Sequence, residues 1–155
     1  MTDPEAELVE QMAQMLAMAG MPRIAGRIWA YLLICEPPQQ TAADLAATLH
    51  ASRGAISGAV RTLETAGLIR RSSRRGDRRE YFSVPPGAII AILKSRHPVT
   101  VAWRQLADHG LELLGDRPPE QRARLQEVRD VYAFMEQELP SMLDRFIEQR
   151  KDQTT

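Results

Sequence analysis

The chain of 155 residues has one cysteine, Cys35. No disulfide can close within it, and that usage fits a reducing cytoplasm. No apolar run approaches the roughly 20 residues that a membrane span requires, so no membrane partner is expected. The first residues, MTDPEAELVE, are acidic rather than basic and then apolar, so a signal peptide is not expected. The three histidines, His50, His97 and His109, are scattered, with no cysteine or carboxylate at ligand spacing. No metal site and no cofactor are expected. No glycine-rich loop ends in Lys-Ser or Lys-Thr, and in GAISG, residues 54–58, the serine sits in the wrong place for a G-x-S-x-G elbow. No constellation supports a hydrolase, and the chain reads as a non-enzyme.

Net charge is also missing, with 20 basic and 20 acidic residues. Its distribution is uneven. Residues 1–20 hold four acids and no base, whereas residues 50–80 hold eight arginines against three acids. Residues 116–155 hold seven bases and nine acids. A local basic stripe in a neutral protein is a footprint for a polyanion. At 44% apolar and 26% charged, the composition is that of one ordinary globular unit.

The periodicity is mostly helical. Residues 5–19 carry Leu8, Met12, Met15 and Leu16 at helical spacing, and Gly20 stops them. Pro22 opens a second helix to Cys35 that is apolar on nearly every side, hence central and buried. EPPQQ, residues 36–40, reads as a loop. Thr41 and Ser52 are N-cap candidates for two short helices, 42–49 and 53–66, and Gly67 suits the left-handed position after the second. Two short helices with a tight connection have helix-turn-helix spacing. The period then changes: residues 68–74 and 79–84 flank Gly76–Asp77 and read as a two-stranded hairpin, or wing. Beyond Gly87 the chain is helical again, with Pro98 ending or kinking a helix. In residues 119–151, Leu125, Val128, Tyr132, Met135, Leu139, Met142 and Phe146 alternate steps of 3 and 4 as a heptad seam. Pro140 should kink that helix, and the tail DQTT should fray. The expected fold is mainly α with a small β-hairpin wing. The chain forms a single unit, 1–155, with a winged helix-turn-helix in 22–84 and helical dimerisation parts in 5–20 and 86–151.

The second short helix has the two faces that a reading helix needs. Ile56, Val60 and Leu63 form a docking stripe, and Arg53, Ser57 and Arg61 lie on another face beside Gly54 and Gly58. Glycine costs about 1 kcal/mol relative to alanine in a helix, so two glycines there suggest close approach of a partner. The plain alternative is a surface helix of poor propensity. In the wing, Arg74, Arg75, Arg78 and Arg79 surround the turn, and Asp77 is placed to hold one of them by an ion pair. Arginine's planar donors suit phosphates and a narrow minor groove. The alternative is a solvated charged hairpin. Thr41 and Ser52 add helix N-termini, which bind phosphates.

These segments resemble a known family. The run TAADLAATLHASRGAISGAVRTLETAGLIRRSSRRGDRREYFSV is similar to the winged helix-turn-helix of MarR-type bacterial transcription regulators, and GMPRIAGRIWAYLLICEPPQQ resembles their GbsR-like branch. The resemblance implies a homodimeric, non-enzymatic repressor or activator. It implies that the helix with Arg53, Ser57 and Arg61 enters the major groove, and that the wing around Asp77 and Arg78 reaches the minor groove. A small-molecule effector is also implied. Where typical members leave the wing through Leu-Thr, this chain has Val84-Pro85-Pro86.

The expected partner is therefore double-stranded DNA bearing an inverted repeat, read by a cytoplasmic homodimer. Met12, Met15, Trp29 and Trp103 are candidates for an apolar effector pocket, against the simpler reading that they pack helix on helix. The heptad seam is the candidate dimer interface, against the reading that it is internal core. Cys35 reads as a small apolar residue rather than a thiol sensor. The rival function is a winged helix that binds an acidic protein.

Overall fold

The computed structural model describes residues 1–152. They form two compact units, Met1–Ile89 and the part that begins at Ile90. The expected fraying of the tail falls on residues 153–155, outside the described residues, although Asp152 still belongs to a helix.

In the first unit, α1 (Asp3–Met18) and α2 (Arg23–Ile34) pack side by side. Thr2 N–H donates to Glu5 Oε2 at 2.6 Å and secures the start of α1. Val9 and Ala13 of α1 meet the buried face of α2, which holds Ala25, Ile28, Trp29, Ala30 and Leu32. The contact is close: a Cβ on Gly26 would lie 2.8 Å from the Ala13 Cα. Arg23 and Arg27 also reach across to Glu10. The expected burial of α2 holds except in its last turn, where Leu33 and Ile34 are exposed.

On its other side α2 packs against α4 (Arg53–Thr65), which follows the short α3 (Ala42–Thr48). Leu45 from α3 and Leu49 just after it meet Ile56, Val60 and Leu63 from α4 in the best-buried part of the core. The expected docking stripe is thus the buried face of α4. Gly67 adopts φ +71°, and Leu68 N–H returns to the Leu63 carbonyl at 2.9 Å, a glycine-terminated helix end.

The wing strands are β2 (Arg70–Ser73) and β3 (Glu80–Ser83). They pair antiparallel, with Arg70 opposite Ser83 and Ser73 opposite Glu80. Gly76 takes φ +82° at the tip, where Asp77 N–H donates to the Arg74 carbonyl at 3.0 Å. A third strand departs from the loop expected at EPPQQ. β1 (Gln40–Thr41) pairs antiparallel with Phe82 and Tyr81, so β3 is the centre of a three-stranded sheet. Two residues carry no readable period, and their partner lies about forty positions on.

α5 (Ala88–Ser95) leads into the second unit. There α6 (His97–Leu114) and α7 (Pro119–Asp152) pack as an antiparallel pair. Pro98 sits in the first turn of α6, where its missing N–H costs nothing, so it starts one helix as well as ending another. α7 runs as one helix through Pro140. Trp103 stacks on Tyr132 with ring centroids 5.6 Å apart, and Arg104 bridges Glu136 and Asp108. Arg129 adds a bond to Asp108 at 3.0 Å.

The expected seam is divided. Leu125, Tyr132 and Leu139 are half-buried, whereas Val128, Met135, Met142 and Phe146 remain exposed. The buried residue of α7 is Leu143, which lies off the seam. Among the described residues no helix is long and apolar enough to cross a membrane.

The α1–α2 contact gives a test. Gly26→Ala is expected to destabilise the fold by about 1–3 kcal/mol through overpacking. Gly58→Ala, where an added Cβ meets nothing within 4 Å, is expected to stabilise it by about 0.5–1 kcal/mol. Urea unfolding of the two variants checks both signs.

Candidate nucleic-acid interface

α4 begins at Ser52, whose Oγ accepts from Ala55 N–H at 3.2 Å, the cap expected from the sequence. The buried residues Ile56, Ala59, Val60 and Leu63 fix its inner face. The opposite face presents Arg53, Gly54, Ser57 and Arg61, all exposed. Added Cβ atoms at Gly54 and Gly58 would both point into open space. Neither glycine is needed for internal packing, so the bare backbone they leave is available to an outside partner.

Thr41 is placed differently from these. It is buried, and its hydroxyl donates to Asp44 Oδ2 at 2.6 Å while accepting from Asp44 N–H at 3.2 Å. It caps α3 and pairs with β3 rather than presenting a side chain to a partner. Asp44, three residues on, engages both the hydroxyl and the backbone N–H of Thr41.

The wing arginines divide into groups. Arg71 is anchored: it donates to both Glu64 oxygens, at 3.1 and 2.7 Å, and to Glu80 at 2.8 Å. Its guanidinium also lies 5.5 Å from the centre of the Phe82 ring. Glu64, first, and Glu80 hold its pKa above the usual arginine value. It ties the end of α4 to the base of the wing.

Arg79 is clamped by Asp77. Its backbone N–H donates to Oδ1 at 2.9 Å, and its side chain reaches Oδ2 through Nε and Nη2 at 3.0 and 2.8 Å. Arg79 stays 67% exposed at its side chain, so the clamp orients it without hiding it. An exposed pair adds little to stability, and its effect here is on geometry. Arg74 lies 4.2 Å above the Tyr81 ring and donates to Gln39 Oε1 at 3.2 Å. Arg75 and Arg78 are exposed, with no ion-pair partner among the described residues.

Three participants were not singled out in the sequence: Tyr81, Gln39 and Arg71. Tyr81 falls just after the arginine run, in a strand whose residues Tyr81, Phe82 and Ser83 are all buried, so no alternation marks its face. Gln39 lies 35 residues from Arg74, with no local signal.

The other candidates belong to other elements. Met12 and Met15 line a shallow groove on α1 with Leu8, Gln11, Gln14 and Met18. Trp29 is buried in the first unit, and Trp103 stacks on Tyr132 in the second. Cys35 is half-buried, and burial pushes its thiol pKa up, away from reactivity. No group of three or more potential metal ligands occurs among the described residues.

The Asp77 carboxyl is held well below the usual carboxylate range, chiefly by the Arg79 side chain, then by the Arg79 N–H and the Tyr81 hydroxyl. A depressed carboxylate pKa makes a contribution that is present above the ordinary value of 3.8 and lost only as pH falls toward the folded value. Carbon-13 NMR is expected to find Asp77 still ionised at about pH 3, and Arg79→Ala is expected to bring its titration back toward the ordinary range.

Comparison with known proteins gives consistent matches. Residues 31–81 match the model of the MarR family, and residues 87–150 match that of the MmpR5-like MarR family transcriptional regulators. The chain is 41% identical over 140 residues to the HTH-type transcriptional regulator MmpR5 of Mycobacterium tuberculosis, covering 90% of this chain and 85% of that protein. A crystal structure of a transcriptional regulator, 39% identical, superposes with a TM-score of 0.76 over 94% of this chain and 99% of the other.

Proposed function

The chain belongs to the MarR family of transcriptional regulators, DNA-binding winged-helix proteins rather than enzymes, and from that premise we propose that it is a homodimeric repressor of the cytoplasm that reads an inverted repeat. One observation carries the reading. Exposed arginines without acidic partners among the described residues occupy both the outer face of α4, at Arg53 and Arg61, and the wing tip, at Arg75 and Arg78. α4 enters the major groove, with Arg53, Ser57 and Arg61 at bases or phosphates and Gly54 and Gly58 allowing close approach. Arg74, Arg75, Arg78 and Arg79 serve phosphates and the minor groove. Half-sites lie about 10 base pairs apart, centre to centre.

The dimer rests on the apolar surface that α6 and α7 leave open. Val99, Trp103, Leu106 and Leu113 are exposed on α6, as are Val128, Met135, Met142 and Phe146 on α7. So large an apolar surface on one hairpin calls for a cover. The GbsR-like affinity of residues 20–40 is a resemblance of that stretch, while the 41% identity is to an MmpR5 regulator. Control by a small apolar effector is a further part of the reading, supported by the methionine groove on α1. Such a ligand acts only by favouring one arrangement of the two heads.

Fluorescence anisotropy with duplexes that the protein selects from genomic fragments tests the function. Tight binding to an inverted repeat, log-linear in salt and at least about a thousandfold above scrambled duplex, is the expected result. Arg78→Ala is expected to weaken binding to all sequences and to lower the salt slope by about one. Binding with no preferred sequence would shift the reading to an acidic protein partner. Met142→Glu is expected to shift the sedimenting species from dimer to monomer while the helical circular dichroism persists.

A further inference from the structure

Tyr81 lies in the central strand of the sheet, with its backbone paired to Thr41 on one side and Ser72 on the other. Its residue is 6% exposed. Its hydroxyl donates to Asp77 Oδ2 at 2.7 Å, the same oxygen that accepts from Arg79 Nη2 at 2.8 Å. The Arg74 guanidinium lies 4.2 Å from the centre of its ring, and that of Arg79 lies 5.6 Å away. Two cations near one ring repel each other. Asp77 offsets the charge of Arg79, and the Gln39 oxygen takes one donor of Arg74.

We propose that Tyr81 is a positioning residue for DNA binding: its hydroxyl locks the Asp77–Arg79 clamp and its ring seats Arg74, so that one buried side chain presets two wing arginines. The inference rests on the reading of the wing as a DNA contact. A buried tyrosine hydroxyl needs some acceptor in any case, and that need alone would be met by a backbone carbonyl. Here the acceptor is the carboxylate that orients an exposed arginine. The bond therefore links the rigid sheet to a side chain whose freedom would otherwise be lost only on binding. Phenylalanine would keep the ring beneath Arg74 and release Asp77. Leucine would release both arginines.

The test compares the wild type, Tyr81→Phe, Arg79→Ala and the double variant, by anisotropy on the selected duplex and by thermal unfolding. Tyr81→Phe is expected to bind about tenfold more weakly, as suits a hydrogen bond to a charged group, and to cost nothing further in the Arg79→Ala background. NMR supplies a readout that does not depend on DNA. The Arg79 Nε–H signal is expected to be sharp in the wild type and to broaden in Tyr81→Phe. Wild-type affinity in Tyr81→Phe, or an equal loss in both backgrounds, would overturn the proposal, because the hydroxyl would then serve only the fold. If the wild type prefers no duplex, the DNA reading fails by itself. The Nε–H signal then decides the positioning: unchanged in Tyr81→Phe, it overturns that too.

Discussion

Like charge crowded into eleven residues is the constraint around which the reading head is arranged. Six arginines lie between positions 70 and 80, well within one Debye length of their neighbours. Left alone they would push the hairpin open. The structure disperses part of the repulsion by giving three of these cations different surroundings. Arg71 is absorbed by two glutamates, Arg79 is offset by the aspartate two residues before it, and Arg74 rests on an aromatic face. Arg75 and Arg78 stay in water at the tip. Arg71, Arg74 and Arg79 thus find partners inside the protein, while Arg75 and Arg78 at the tip have no ion-pair partner among the described residues.

This arrangement depends on a scaffold that keeps charge out of the core. α2 is the common wall: α1 meets one side of it across the glycine at position 26, and α4 meets the other through an aliphatic face. Because the buried face of α4 is wholly apolar, its outer face is free to carry arginine and glycine without weakening the packing. Poor helix propensity at Gly54 and Gly58 is tolerated because tertiary burial, rather than propensity, holds the helix in place.

Much of this was legible in the sequence, for reasons that are local. The caps at Ser52 and Thr41, the left-handed glycine at position 67 and the turn at Gly76 are each decided by neighbours within a few residues. The docking stripe of α4 follows from its period. Features that depend on distant partners were not legible. β1 exists only because Phe82 and Tyr81 lie beside it. The run of arginines reads as uniform, yet Glu64 decides that Arg71 is structural, and Glu64 lies in another element. The heptad spacing of the last helix located an apolar stripe. It did not show that Leu143, off that stripe, would be the buried residue, since burial depends on where the neighbouring helix runs. Tyr81 carries no such local mark, because the hairpin must close before Asp77, Arg79 and Arg74 gather around it.

The two-residue strand β1 has a mechanical consequence. It stitches the start of α3 to the central strand of the wing by backbone pairing, and Arg71 stitches the end of α4 to the same sheet. The turn, α4 and the wing are thus braced at both ends, like a truss. A braced head resists being reshaped, so any signal that alters its grip has more scope to tilt or shift it whole than to deform it.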